Sequence, residues 1–234
     1  MHTEAYTPLR GDHAYAGLKQ RLLAGDFRLG SRLKEVRLAS LLGVSRTPIR
    51  EALLRLHTEG LLDRHPDGGF QPLIPDVTAI AWLYEVRAAL ELDAIRRPDR
   101  LGETHDRAAI ESLVRDWAAL AAEAPEPSSQ FVLVDESFHL GLADAAGNPV
   151  LVDQLRQINE RIRTVRMLDF LTEDRVAMTI AEHLDIAHAV LDGDLDVAEQ
   201  HFLSHLDHSQ SVVEQRVSAA IARMASAPEM EEGT

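Results

Sequence analysis

Between residues 14 and 24 the apolar side chains Tyr15, Leu18 and Leu22 recur at the spacing of one helical face, and Gly25 supplies a stop. A second helix fits residues 35–42, with Leu38, Leu41 and Leu42 turned inward. Gly43 breaks that pattern. Ser45 can cap a third helix, and Pro48 sits in its first turn, where a missing N–H costs little. In this helix Ile49, Ala52, Leu53 and Leu56 fall at i, i+3, i+4 and i+7, a single apolar stripe. After Gly60 the period changes. Residues 61–64 and 70–73 predict two short strands around His65-Pro66-Asp67-Gly68-Gly69, a strong turn signal. From Val77 onward only helical periodicity appears, over residues 77–96, 105–123, 128–146, 149–170, 173–192 and 195–224. Pro125 and Pro127, Gly147-Asn148-Pro149 and Asp192-Gly193-Asp194 punctuate it.

These elements predict a mainly α chain: an N-terminal winged helix-turn-helix with a small two-stranded wing, then a C-terminal all-α helical bundle. The expected divisions are a mobile arm over 1–12, the winged unit over 13–73, a linker over 74–76, the helical domain over 77–225 and a polar, disordered tail over 226–234.

Charge alters the picture. The net charge of −14 argues against nucleic acid until it is divided along the chain. Residues 1–73 hold eleven Lys/Arg against eight Asp/Glu; residues 74–234 hold thirteen against thirty. The first part can approach phosphates, and the second is repelled by them. With no cysteine, disulfide and thiolate chemistry are out, and a reducing cytoplasm fits. The N-terminal residues do not read as a signal peptide, and no apolar run approaches a bilayer span, so a cytoplasmic protein without a membrane partner is expected.

Docking the apolar stripe of the third helix on its domain leaves Arg46, Thr47 and Arg50 on the opposite face, near the helix N-terminus, where a recognition helix reads base edges. Arg46 and Arg50 are i and i+4 and project together. Arginine can grip guanine through two hydrogen bonds. Ser45 and Thr47 suit phosphate contacts beside the backbone N–H groups of the helix start. A solvated face is the alternative for two arginines alone; the helix order and the wing tip the reading toward DNA. The run Leu33-Lys34-Glu35-Val36-Arg37-Leu38-Ala39, with Leu42-Gly43-Val44-Ser45-Arg46-Thr47-Pro48-Ile49-Arg50-Glu51-Ala52-Leu53 and Glu59-Gly60-Leu61, strongly resembles the DNA-binding domain of GntR-family regulators. The resemblance implies a homodimer on a double-stranded operator with an inverted repeat, and Arg46, Thr47 and Arg50 match its contact positions. Arg37, His65 and Gly68 join them as candidates, although the hairpin lacks the basic residue that many members carry.

Farther along, Asp135 and His139 are i and i+4 within an apolar stripe that includes Phe131, Phe138 and Leu142. His183 lies among Ile180, Ala187 and Val190, and His205 between Phe202 and Val212. Each histidine taken alone reads as a hydrogen-bonded core residue. One carboxylate and three imidazoles brought together would suit a divalent transition metal. The segments Glu85-Val86-Arg87-Ala88-Ala89-Leu90-Glu91, Asp135-Glu136-Ser137-Phe138-His139 and Glu182-His183, with Gly193-Asp194, Ala198 and His205, resemble the FadR-subgroup ligand-binding domain (FCD type) over nearly all of residues 77–222. That resemblance implies that Asp135, His139, His183 and His205 bind a metal, zinc first and nickel second, with open positions for an effector carboxylate. It selects His205 over its neighbours His201 and His208 by spacing from His183; His105 and His188 read as surface or structural.

Arg87 is the leading partner for the effector's anionic group. Asn159, Arg163 and Arg166, at i, i+4 and i+7, are further candidates from which Asn159 and Arg163 are taken. A surface ion pair is the alternative for each arginine. The expected function is a transcriptional regulator, a repressor in the usual sense of the family, controlled by a small organic acid. Alternatives are a metal-free pocket for a larger acidic ligand such as an acyl-CoA and, remotely, a metal-dependent enzyme tethered to DNA. Catalysis is not expected: the chain has no His-Glu-x-x-His helix and no evident nucleophile–base pair.

Overall fold

The computed structural model of the protein describes residues 10–228. Residues 1–9 and 229–234, with most of the expected arm and tail, lie outside the described residues. The chain divides into two compact units: residues 1–75 with 217–234, and residues 76–216.

The first unit holds α1 (Arg10–Ala24), α2 (Glu35–Leu42), α3 (Arg46–Thr58), β1 (Leu62–Arg64) and β2 (Phe70–Pro72). The strands pair antiparallel, with Leu62 opposite Pro72 and Arg64 opposite Phe70. The N–H of Leu33 donates to the Phe70 carbonyl at 2.8 Å, which ties the approach to α2 to the wing. The stripe read on α3 is buried as expected: Ile49, Ala52, Leu53 and Leu56 join Tyr15, Leu18, Leu22, Leu38 and Phe70 in one core. On α2 the inward face differs from the expectation. Leu41 is 47% exposed, whereas Leu38 and Ala39 are buried. Leu42 packs over Gly17 of α1, where an added Cβ would come 3.0 Å from its Cδ2, and this seating turns Leu41 outward.

Two boundaries also shift. The first helix is already formed at Arg10, ahead of the expected start near Ala14. At the other end of the chain, residues from 217 onward group with the first unit rather than with the helical domain. The reason is close packing: the N–H of Leu29 donates to the Met224 carbonyl at 3.1 Å, Arg223 Nη1 donates to the Ala24 carbonyl at 3.3 Å, and Met224 is buried.

The second unit holds α4 (Val77–Arg100), α5 (Arg107–Ala122), α6 (Phe131–Ala145), α7 (Pro149–Arg166), α8 (Glu173–Asp192) and most of α9 (Leu195–Ser226). Polar side chains start three of these helices. Asp76 accepts from the Ala79 N–H, Asp106 from Ala108 and Ala109, and Asn148 from Leu151. The fourth helix continues past the expected stop at 96, through Pro98. A proline cannot donate to the carbonyl four residues back. Here that carbonyl, of Ala94, is met by His105 Nε2 at 3.0 Å, which gives His105 a structural role. Conversely, α7 stops at Arg166, short of 170, and the buried residues 167–170 form turns. Among the described residues no helix is long and apolar enough to cross a membrane.

Gly25 and Gly43 both have left-handed backbones, with φ of 76° and 65°. A Cβ on Gly43 meets no atom within 4 Å, but on Gly25 it would come 2.6 Å from the Ala220 carbonyl oxygen. Gly43→Ala is therefore expected to cost about 1 kcal/mol from backbone strain alone. Gly25→Ala should add an overpacking cost of roughly 1–3 kcal/mol. Urea denaturation of both variants checks the order, and equal losses would contradict the close approach of α9.

Candidate functional site

The N-terminus of α3 carries the first set of candidate residues. Burial of Pro48 and Ile49 turns this helix so that Ser45, Arg46, Thr47 and Arg50 are exposed. Ser45 occupies the cap position with extended backbone, φ −75° and ψ 170°, yet its hydroxyl makes no capping hydrogen bond. The capping role read from the sequence is thus not taken up. Arg46 and Arg50 both reach back to Glu35, the first residue of α2. Arg37 is exposed on α2.

In the wing, His65 is turned toward its own hairpin: its Nδ1 accepts the Asp67 N–H at 3.1 Å, and only 15% of its side chain is exposed. Gly68 is exposed at the tip with φ 84°. The cations near this hairpin come from elsewhere than its turn. Arg64 stacks over Phe70 at 4.5 Å, and Arg32 lies against Gly69, where a Cβ would sit 3.4 Å from its Nε. Neither was singled out from the sequence, because Arg32 is distant from the hairpin along the chain.

The second set lies in the core of the helical unit. Asp135 and His139 project from α6, His183 from α8 and His205 from α9, and one ligand atom from each lies within 4.8 Å of all the others. All four are at most 1% exposed. The Nε2 atoms of His183 and His205 are 3.3 Å apart, His183 Nε2 is 3.7 Å from Asp135 Oδ1, and His139 Nε2 is 3.5 Å from Asp135 Oδ2.

The surroundings set which nitrogen points inward. His139 Nδ1 pairs with Glu91, and His205 Nδ1 pairs with Glu182 Oε2 at 2.7 Å. When Nδ1 of each neutral ring donates to its carboxylate, Nε2 is left as a lone pair aimed at the centre. His183 is fixed by rings instead. Phe138 stacks on it at 4.0 Å and Trp117 meets it edge-on at 4.2 Å. Asp135 Oδ1, His139 Nε2 and His183 Nδ1 are buried without a hydrogen-bond partner in the protein. Converging nitrogen lone pairs and a free carboxylate oxygen repel one another unless a cation or protons lie between them, so this donor set fits a divalent transition metal.

Protonation states agree with that fit. Burial, and then the charges of His205 and His139, push His183 well below the usual histidine range. Burial also lowers His205, against the opposing pull of Glu182. Burial alone would raise Asp135, but Arg166 and the imidazoles hold it well below the usual carboxylate range. Glu91 is likewise desolvated, yet Arg87 and His139 bring it down to about 2.

Two arginines back the cluster. Arg87 Nε donates to Glu91 Oε1 at 2.6 Å, and Arg166 Nη2 pairs with Asp135. Both are fully buried, and Arg87 Nη1 and Nη2 and Arg166 Nε and Nη1 have no partner in the protein. The same holds for both amide atoms of Asn159, also fully buried. Arg163, taken from the sequence ahead of Arg166, is not part of this group. Its guanidinium is held by both oxygens of Glu136 at 2.8–3.1 Å. At about 100° per residue, Arg166 falls roughly 20° from Asn159 around α7 and Arg163 about 40° to the other side, so the inward arginine is Arg166. The spacing Arg87–Glu91, i to i+4, and the adjacency of Glu182 to His183 were the signals that could have exposed the two supporting carboxylates. His201 is half-buried, and His188 and His208 are exposed, although His208 Nδ1 shares Glu182 at 2.7 Å.

Residues 10–71 match the model of the bacterial regulatory proteins of the gntR family, and residues 82–208 match the FCD domain. The Nta operon transcriptional regulator of Aminobacter aminovorans is 34% identical over 190 residues, which cover 80% of this chain and 87% of that one. Among solved structures, Lar, which controls expression of the Listeria monocytogenes agr system, matches with TM-score 0.62 at 19% identity over 90% of this chain and 99% of that one. Escherichia coli McbR/YncC matches with TM-score 0.52 at 21% identity over 89% and 99%. The chain belongs to the GntR family: it is a DNA-binding transcriptional regulator with an FCD effector-binding domain, in a family of regulators rather than enzymes.

The buried histidines set an acid limit on stability. His183 and His205 are lowered in the folded chain. Above about pH 6.5 neither state takes up these protons. As pH falls through that value the unfolded chain binds protons that the folded one refuses, and stability drops by up to about 1.4 kcal/mol per pH unit for each histidine. Chelator-treated protein should therefore unfold at lower urea at pH 5.5 than at pH 7.5. An unchanged or higher midpoint would contradict neutral, buried imidazoles.

Proposed function

We propose that the protein is a homodimeric repressor whose binding to an inverted-repeat operator is set by a small organic acid at a divalent metal centre. The observation that carries this reading is the convergence of Asp135, His139, His183 and His205 in a buried core. These four would hold the ion, zinc first and nickel second, and when bound it supplies Lewis-acid positions for a carboxylate.

The chain's own residues do the rest. Glu91 and Glu182 keep His139 and His205 in the tautomer that presents Nε2. Arg87 and Arg166 offer buried N–H groups to the effector's anionic oxygens, and Asn159 offers both a donor and an acceptor. Full burial of these groups favours a small acid over an acyl-CoA. Binding shifts operator affinity only through a difference in effector affinity between two states of the dimer.

On the DNA side, Arg46 and Arg50 read base edges while Ser45 and Thr47 meet phosphate beside the α3 N-terminus. Arg37, His65 and Gly68 are assigned secondary contacts to the same duplex. A cytoplasmic location follows from this role.

Elemental analysis of tag-free protein should find near-stoichiometric zinc or nickel in the wild type and little in His183→Ala. Absence from both would overturn the metal centre and leave the DNA assignment untouched. Independently, Arg46→Ala and Arg50→Ala should each weaken binding to a selected operator duplex by roughly 1–3 kcal/mol and relax base preference. Unchanged affinity in both, at constant salt, would place the reading surface elsewhere.

A further inference from the structure

Glu35 opens α2 and is the acidic residue of that helix's first turn. Its carboxylate is shared by two guanidiniums. Arg46 donates from Nε at 3.3 Å and Nη2 at 2.9 Å to Oε2, and Arg50 donates from Nε at 2.9 Å to Oε1 and 2.8 Å to Oε2. The arginine side chains are 56% and 59% exposed and Glu35 only 28%, so the acid lies beneath the two cations. Arg50 holds it through Nε alone, so its two Nη groups take no part, whereas Arg46 uses Nε and, at the shorter distance, Nη2. The carboxyl group is lowered, with the Arg50 hydrogen bond as the largest cause, and it stays charged while holding them.

We infer that Glu35 is a specificity-determining positioning residue of the DNA-reading surface. The inference rests on the reading of Arg46 and Arg50 as base contacts. An exposed arginine samples many rotamers, and its charge is attracted to any phosphate. Sharing one carboxylate fixes the directions of both guanidiniums and cancels one of their two charges. The Nη edge of Arg50 stays available for a guanine, which two parallel hydrogen bonds can engage. Binding to arbitrary DNA, driven by charge, is thereby reduced, while binding that uses geometry is retained. A carboxylate at this position also repels phosphate directly, so DNA of the wrong sequence meets an added penalty that the correct bases offset.

A merely structural acid would support α2 by favouring its dipole and would act on folding alone. The two roles separate by experiment. The probes are a duplex selected from a random pool by the wild-type chain and a shuffled duplex of the same composition. Binding of full-length wild type, Glu35→Gln and Glu35→Ala is followed by fluorescence anisotropy at several KCl concentrations, beside their thermal unfolding. Both variants are expected to bind the shuffled duplex at least threefold more tightly. Their slope of log affinity against log salt should steepen by about 0.9 for each protomer engaged. The ratio of selected to shuffled affinity should fall at least tenfold in Glu35→Ala. Unchanged ratio and slope in both variants, with Arg50→Ala still weakening the selected duplex, would overturn the role of Glu35 alone. If Arg50→Ala leaves the selected duplex unaffected, the underlying reading surface fails and the inference with it. A lowered unfolding midpoint without tighter shuffled binding in Glu35→Gln would reduce Glu35 to a structural acid and also overturn the inference.

Discussion

Three imidazole nitrogens and a carboxylate oxygen meet in the buried core of the helical unit, and much of that unit's polar core is arranged around them. Such groups are costly to bury without partners. Each is therefore supported from outside: Glu91 of α4 behind His139, Glu182 of α8 behind His205, Arg166 of α7 behind Asp135, and the Phe138 and Trp117 rings around His183. Six helices contribute, which pins their mutual register more tightly than apolar packing alone would.

The supporting carboxylates each face two ways. Glu91 accepts from Arg87 on one oxygen and from His139 on the other; Asp135 holds Arg166 with Oδ2 while Oδ1 faces His183. A change at Arg166 reaches Asp135 directly, and a change at Arg87 reaches His139 through Glu91. In a buried pair, removing one member costs about 3–5 kcal/mol because the other charge is left unpaired. An anion drawing on the free N–H groups of Arg87 or Arg166 would act on the same bonds. This gives the effector reading a route from ligand to helix positions without a long pathway.

Much of this could be read in the sequence where local pattern decides the outcome. The α3 stripe, the hairpin turn and the six later helices follow from apolar spacing and from Gly, Pro and Asx punctuation. The failures lie where a distant segment decides. Leu41 turns outward because Leu42 seats on Gly17; α4 passes through Pro98 because His105 meets the carbonyl that the proline leaves free; residues 217–228 pack beside Gly25 and Leu29. At the site, Asp135 and the three histidines were legible as polar residues on apolar faces, and their meeting was implied only by family resemblance. Arg166 was passed over for Arg163 because a periodicity of i, i+4 and i+7 does not fix the helix rotation to better than a side chain. Glu35 escaped notice because its partners are one helix away.

The charge that makes the whole chain acidic is concentrated in residues 74–234, so the DNA-binding and effector-binding domains differ in the sign of their net charge. X-ray absorption spectroscopy of the zinc-loaded, tag-free protein tests the metal centre most directly. Nitrogen and oxygen scatterers at about 2.0–2.1 Å, with the outer-shell pattern of three imidazoles, are the expected result. A shell of water and carboxylate oxygens without imidazole scattering would contradict the assignment of His139, His183 and His205 as ligands.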